Sequence, residues 1–225
     1  MPGIPQLTAW LVLPAFLACS QTPSKTLGSP SIGVFMDFDS APAAGWLDGM
    51  ESQVQELLKP SGMALDWGLV RDNRGEKAFA GLVVLKFHGK CSAEGWAAAG
   101  SDFGSVGEIS TLAFTRVDRG RVTPYAEVKC DEVRKALAYM GYPAGQEERQ
   151  KALSRALARV VAHEIYHILA KTTEHAGSGL AKAAQPLNDL VSKRKLEFAT
   201  DDLQAIKEGG ASSEPAPDAL SEHQP

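Results

Sequence analysis

The segment 146–171 constrains the fold most, because a long helical pattern there carries two histidines one turn apart. Apolar residues recur along the segment at the three- and four-residue spacing of an amphipathic helix. No glycine or proline interrupts positions 146–176. The pattern H-E-x-x-H, formed by His163, Glu164 and His167, lies inside this segment. The sequence therefore predicts a long helix that carries these three side chains.

The spacing of the two histidines favours a metal site. Residues four apart lie on one face of a helix, so His163 and His167 can point in the same direction. Neutral imidazole nitrogens bind Zn²⁺ at about 2.0–2.1 Å, and two rings one turn apart can meet at a single ion. Glu164 is rotated from His163 by about 100° and would flank the ion as a base for water. We expect zinc as the cofactor and Glu164 as the catalytic residue.

A third ligand must come from outside the motif, because a catalytic zinc site has three protein ligands and one open position. His175 is the best candidate, since it lies where the helix should end. A helix continuing to position 175 would place it about 12 Å along the axis from His167. The chain is therefore expected to bend after about Ala170. Glu197 and Glu174 are the rival ligands.

The first 20 residues are predicted to be a signal peptide. The apolar run at positions 7–18 is shorter than the roughly 20 residues that a membrane-spanning helix needs, and its length is typical of a signal-peptide core. Cleavage before Gln21 is one alternative, and a lipobox ending at Cys19, which would then carry a lipid, is the other. We expect a secreted or periplasmic protein, which is anchored to a membrane only if Cys19 carries the lipid. The competing interpretation is a buried apolar segment of the fold.

Export also changes the interpretation of the three cysteines. If Cys19 is removed or lipidated, Cys91 and Cys130 remain. Two thiols in an oxidising compartment favour one disulfide. The alternative is a pair of free, buried cysteines. Metal binding by this pair is disfavoured, because the chain lacks the C-x-x-C spacing.

The rest of the chain predicts an α+β domain over residues 31–208, with a mixed five-stranded sheet packed on helices. Residues 21–30 are predicted to be a linker, and residues 209–225 a disordered tail. The predicted strands cover positions 31–38, 63–70, 79–88, 109–117 and 121–129. One helix is expected after the first strand, and two after the last, at about 131–141 and 146–171.

The sequences of two strands indicate whether their faces are covered and whether they lie at an edge of the sheet. The third has a continuous apolar centre at positions 82–85, which predicts that both of its faces are covered. The fifth contains Pro124, which cannot donate a backbone hydrogen bond and favours an edge or a bulge. The fourth strand, 109–117, is a candidate edge strand.

Composition excludes several classes of function. The chain has 23 basic and 27 acidic residues and a net charge of −4, so it has no general attraction for nucleic acid. Aromatic residues make up only 7% of the chain, which argues against a base-stacking surface. The 44% hydrophobic content excludes a disordered chain. We therefore expect a globular protein that does not act on nucleic acid.

With these residues the chain resembles the zincin metallopeptidases, and most closely the metzincins, whose motif is H-E-x-x-H-x-x-G-x-x-H. His163, Glu164 and His167 match its first ligand, base and second ligand. Ala170 stands at the glycine position and Thr173 at the third histidine position, two residues before His175. No methionine follows position 140, so a methionine turn is missing. The chain also resembles exported bacterial proteins with an H-E-x-x-H-x7-H arrangement.

The resemblance implies a zincin-like fold and a zinc-dependent peptidase that uses a metal-activated water. It also implies an edge strand that pairs with an extended peptide or protein substrate beside the cleft. Two other functions stay open: a non-catalytic envelope module with structural zinc, and a zinc hydrolase acting on a non-peptide amide such as cell-wall material. The oligomeric state is open as well.

Overall fold

The computed structural model of the chain describes residues 31–42, 45–94, 111–140 and 145–211. The predicted signal peptide at 1–20, the lipid site at Cys19 and the linker at 21–30 lie outside the described residues. A helix reaches Ala211, three residues into the segment 209–225 that was predicted to be disordered. The rest of that segment also lies outside the described residues.

The described residues form an α+β fold, which confirms the predicted class and its mixed five-stranded sheet. The strands are β1 (Ser31–Phe38), β2 (Ala64–Leu69), β3 (Gly81–His88), β4 (Ala113–Asp118) and β5 (Arg121–Lys129). The helices are α1 (Trp46–Leu58), α2 (Cys130–Tyr139), α3 (Gln146–Ala170), α4 (Leu187–Val191) and α5 (Thr200–Ala211). The sequence pattern did not predict α4 and α5.

The sheet has the strand order β2-β1-β3-β5-β4. All neighbouring strands are parallel except β4, which runs antiparallel to β5. A short turn at Arg119 and Gly120, both with positive φ, joins this antiparallel pair. The strand order places β4 at an edge, as predicted. The described strand begins at Ala113; positions 111 and 112 precede it, and positions 109 and 110 lie outside the described residues.

Pro124 lies at a bulge in an interior strand. The pairing of β4 with β5 shifts register between Thr115↔Ala126 and Val117↔Val122, so β5 has extra residues around the proline. Its pairing with β3 begins only at Tyr125. Because proline has no N–H to donate, the bulge allows it to lie in this strand without leaving a gap in the hydrogen-bond pattern. The alternative expectation, that this strand lies at an edge, is wrong, because β3 and β4 flank it.

The main hydrophobic core lies between the helices and one face of the sheet. Trp46, Met50 and Val54 on α1 and the alternating residues Val83 and Leu85 on β3 are fully buried. On the other face of β3, Leu82 is 43% exposed and Val84 is only half-buried. The prediction that both faces of this strand are covered is therefore wrong. Its continuous apolar run fills the core with every second residue only.

The helix α3 is the centre of the domain. It contacts the other four helices and the strands β3, β4 and β5. Nearly all of its residues from Ala152 to Leu169 are buried, including the polar Ser154 and Arg159. None of the helices in the described part of the chain combines the length and apolar character needed to cross a bilayer.

A disulfide joins Cys91, just after β3, to Cys130 at the start of α2, which confirms the favoured pairing. The two cysteines are 39 residues apart in sequence, and their Cα atoms are 4.9 Å apart. Both are buried. The bond therefore ties the end of a central strand to the helix that follows the hairpin.

Replacing both cysteines by alanine should lower the free energy of unfolding by about 3–4 kcal/mol, because the disulfide restricts the unfolded chain. Urea denaturation of the double variant and the wild type measures this difference. Reduction of the wild type should cause the same loss, and reductant should leave the double variant unchanged. Equal stability of all four samples would contradict a stabilising disulfide.

A close crossing of two helices requires glycine at position 209. A Cβ atom there would lie 1.8 Å from the Leu169 carbonyl oxygen, which belongs to the backbone of α3. A Cβ on the neighbouring Gly210 would meet only the ends of side chains, that of Met63 at 3.1 Å and that of Ile32 at 3.6 Å. The backbone of α5 therefore packs directly against the backbone at the end of α3.

The substitution Gly209→Ala should destabilise the protein by about 1–3 kcal/mol or more, because the helices must move apart. Gly210→Ala is the matched control in the same helix. It should be near neutral, since the helix preference of alanine over glycine, about 1 kcal/mol, offsets the tight contact with Met63. Thermal unfolding of both variants measures the difference, and equal melting temperatures would contradict the close crossing.

Candidate metal centre

The end of α3 brings the motif and the following chain together. His163, Glu164 and His167 lie in its last two turns, and the helix ends at Ala170. Lys171 then adopts a left-handed conformation with φ 52°. This residue turns the chain back towards the helix, so that His175 reaches the two histidines. The predicted bend after about residue 170 is confirmed.

The three histidine rings converge on one point. Their centroids are 4.7 Å apart for His163 and His167, 5.3 Å for His163 and His175, and 4.7 Å for His167 and His175. One ring nitrogen from each lies within 4.8 Å of the others. Within the described ranges, this is the one group of at least three His, Cys, Asp or Glu residues with such geometry. His167 is buried, His163 half-buried and His175 exposed.

Backbone carbonyls fix the protonation of two of these rings. The Nδ1 atom of His163 lies 2.7 Å from the carbonyl oxygen of Leu180. The Nδ1 atom of His167 lies 2.8 Å from the carbonyl oxygen of Thr172. Because a carbonyl oxygen only accepts hydrogen bonds, each Nδ1 must carry a proton. In the neutral rings the two Nε2 atoms then have free lone pairs.

The two Nε2 lone pairs face each other, since the Nε2 atoms of His163 and His167 are only 3.0 Å apart. A proton between them is disfavoured, because burial lowers the pKa of His163 and lowers that of His167 to about 4. Two nitrogens bound to one tetrahedral zinc lie roughly 3.3 Å apart, given bonds of about 2.0–2.1 Å. These residues therefore fit a metal ion, and imidazole donors suit zinc among others.

Glu164 lies beside the histidines but outside the ligand group. It is 5% exposed, and burial raises the pKa of its carboxyl to about 7. Its Oε2 atom accepts a hydrogen bond of 2.7 Å from the Thr115 hydroxyl on β4. The edge strand therefore holds one oxygen of the predicted base. Nothing in the sequence pointed to Thr115, because its role depends on the packing of β4 against α3.

The rival ligands do not join the histidines. Neither Glu174 nor Glu197 belongs to the group of converging side chains. The Glu197 carboxylate forms an ion pair with Lys195 instead, and Glu174 is exposed. Among the candidates that the sequence offered, the structure brings only His175 to the two motif histidines.

Two cavities that share several lining residues, among them Glu164, form a cleft. One has a volume of about 460 Å³ and lies between β4, α3 and the segment 182–190. The other, of about 350 Å³, lies between β4 and the segment 172–175. Both are lined by His163, Glu164 and Ala113. The cleft therefore borders both the edge strand and the histidine group.

Comparisons with known proteins do not assign the chain to a family. No protein-family model matches it, and no curated protein matches it either. The resemblance to the zincins is therefore carried by the motif residues alone. The geometry of the candidate metal centre is the structural evidence for a function.

Proposed function

We propose that the protein is an exported zinc-dependent metallopeptidase. His163, His167 and His175 bind zinc, and Glu164 activates the water that attacks a peptide bond. The main support for this proposal is the distance of 3.0 Å between the Nε2 atoms of His163 and His167. The Nδ1 atom of each ring donates a hydrogen bond to a backbone carbonyl oxygen, so neither Nε2 atom carries a proton in the neutral rings. A cation at this position satisfies both lone pairs, and a third imidazole lies beside them.

The three histidines and Glu164 have different roles in the proposed hydrolysis. A bound zinc would lower the pKa of a coordinated water towards about 7 and polarise the substrate carbonyl. Thr115 holds Oε2 of Glu164, so Oε1 accepts the proton from water. Glu164 then donates this proton to the leaving amine. The buried position of the carboxylate keeps it close to the histidines and away from bulk solvent.

The position of β4 at the edge of the sheet supports the proposal that the substrate is a peptide or protein. An edge strand presents unpaired backbone N–H and C=O groups that can pair with an extended chain. On its core-facing side β4 carries Thr115, which contacts Glu164. One cavity lies along β4 from Ala113 to Val117, and the other touches only Ala113 at the start of the strand. A peptide paired with β4 would therefore pass the base and the three histidines.

The number and exposure of the ligands support catalysis over a structural metal. The converging group contains three residues within the described part of the chain. A structural zinc site has four protein ligands, whereas a catalytic one keeps a position open for water. His175 is exposed and lines the cleft, which gives water and substrate access to the site.

The disulfide between Cys91 and Cys130 supports the proposed export. Disulfides persist in secreted and periplasmic proteins and are rare in a reducing cytosol. Cleavage before Gln21 and lipid attachment at Cys19 are the two routes of export that the sequence leaves open. A mass measurement of the mature protein from the producing cell would distinguish them.

Zinc analysis and substrate assays of the purified protein test this proposal. We expect one zinc per chain, cleavage of an unfolded protein substrate, loss of cleavage with a chelator and recovery with added zinc. Cleavage of peptidoglycan but not of protein would select the non-peptide amide hydrolase. A zinc-loaded protein that cleaves neither substrate would select the non-catalytic module.

A further inference from the structure

We propose that Gln185 is a positioning residue that fixes the carbonyl group orienting His163. This inference rests on the proposed metal site, and it adds a residue outside the motif on which that site depends. The side-chain amide of Gln185 donates hydrogen bonds to the carbonyl oxygens of Gly179 and Leu180, at 2.8 and 3.1 Å. The Leu180 oxygen is the same atom that lies 2.7 Å from Nδ1 of His163.

The orientation of the Gln185 amide is determined by its partners. Both neighbouring atoms are carbonyl oxygens, which only accept hydrogen bonds, so the NH₂ group must face them. The Leu180 oxygen then receives one bond from Gln185 and one from His163, which uses both of its lone pairs. The two hydrogen bonds therefore fix the direction of the Leu180 carbonyl group.

The loop that carries this carbonyl group, residues 179–185, contains little regular structure. Gly179 has φ 71°, and a Cβ there would lie 2.5 Å from the carbonyl oxygen of Glu197. The N–H of Leu180 donates to that same oxygen at 3.0 Å, and the Leu180 side chain is fully buried. These contacts hold the start of the loop, and the Gln185 amide closes its other end five and six residues later.

The same loop also holds the chain next to the third histidine. The N–H of Ala176, which follows His175, donates to the carbonyl oxygen of Ala181 at 2.9 Å. Ala181, the residue after Leu180, is thus tied to the segment that carries His175. Loss of the Gln185 contacts would free the loop and let the His163 ring rotate, and a rotated imidazole binds a metal less well.

Zinc affinity of the metal-free protein, measured by competition with a chelator at fixed pH, tests this role without relying on catalysis. We expect Gln185→Ala and Gln185→Glu to weaken zinc binding by about 10- to 100-fold, the usual cost of losing a contact behind a ligand. The glutamate variant keeps the side-chain size but places a carboxylate against two carbonyl oxygens, so it separates hydrogen bonding from packing.

Gln55 provides the matched control. Its amide donates to the Met63 carbonyl oxygen at 3.2 Å and closes a loop at the start of β2, outside the set of residues that line the two cavities. Gln55→Ala should lower the melting temperature and leave zinc affinity unchanged. Melting temperatures of the metal-free Gln185 variants show that they fold.

The outcomes separate this inference from the proposed function. Wild-type zinc affinity in folded Gln185 variants would overturn the positioning role and leave the peptidase proposal standing. Weaker zinc binding in these variants, in a protein that cleaves no substrate, would support the positioning role and count against the peptidase. A wild-type protein that binds no zinc would overturn both.

Discussion

Replacing Glu164 by glutamine should lower the rate of peptide hydrolysis by about 10²–10⁴-fold, the usual contribution of a general acid–base residue. Glutamine has the same shape but cannot accept the proton from water. Its side-chain oxygen can still accept the hydrogen bond from Thr115, which now contacts the carboxylate at 2.7 Å. Because Glu164 lies outside the ligand group, zinc content should stay at one ion per chain.

Steady-state kinetics and zinc analysis of the same sample check this prediction. Glu174→Gln is the matched control, since Glu174 is an exposed glutamate in the segment leading to His175. It should keep wild-type activity. Unchanged hydrolysis in the Glu164→Gln variant would show that another group takes the proton. Loss of zinc together with activity would instead place Glu164 among the ligands.

The second large effect is expected from His175→Ala. It should weaken zinc binding by more than about 100-fold, because loss of a ligand costs more than the 10- to 100-fold of a supporting contact. Its ring is part of the converging group, but its exposed side chain contributes little to the core. The variant should therefore stay folded while it loses zinc and activity.

Chelator competition and circular dichroism of the variant measure these two properties. His88→Ala is the control, because His88 contacts Asp39 and Glu127 and does not belong to the converging group. It should bind zinc as the wild type does. Retained zinc in His175→Ala, together with loss of zinc in Glu197→Gln, would make the glutamate the third ligand.

The helix and the sheet class could be predicted because their signals are local. The apolar spacing around Leu153, Leu157 and Val161 repeats within one segment, and these three residues are fully buried on α3. The same locality explains the error on β3. A run of apolar residues is the same in sequence whether one face or both faces are covered, and Leu82 proved to be 43% exposed.

The residues that support the site could not be predicted, because they contact it across long stretches of chain. Thr115 is 49 residues from Glu164 in sequence, and Leu180 is 17 residues from His163. Threonine, leucine and glutamine at these positions carry no motif. Their roles follow from the packing of β4 and the loop after α3 against one helix.

By itself, the sequence determined that His163, Glu164 and His167 share one end of a long helix, since a helical turn brings residues four apart together wherever the helix lies. Only the tertiary structure decided which residue from outside the motif joins them. The left-handed turn at Lys171 brings His175 to the other two rings, and Glu197 pairs with Lys195 instead. The choice among the three candidates outside the motif depends on how the chain bends, which no spacing within a helix specifies.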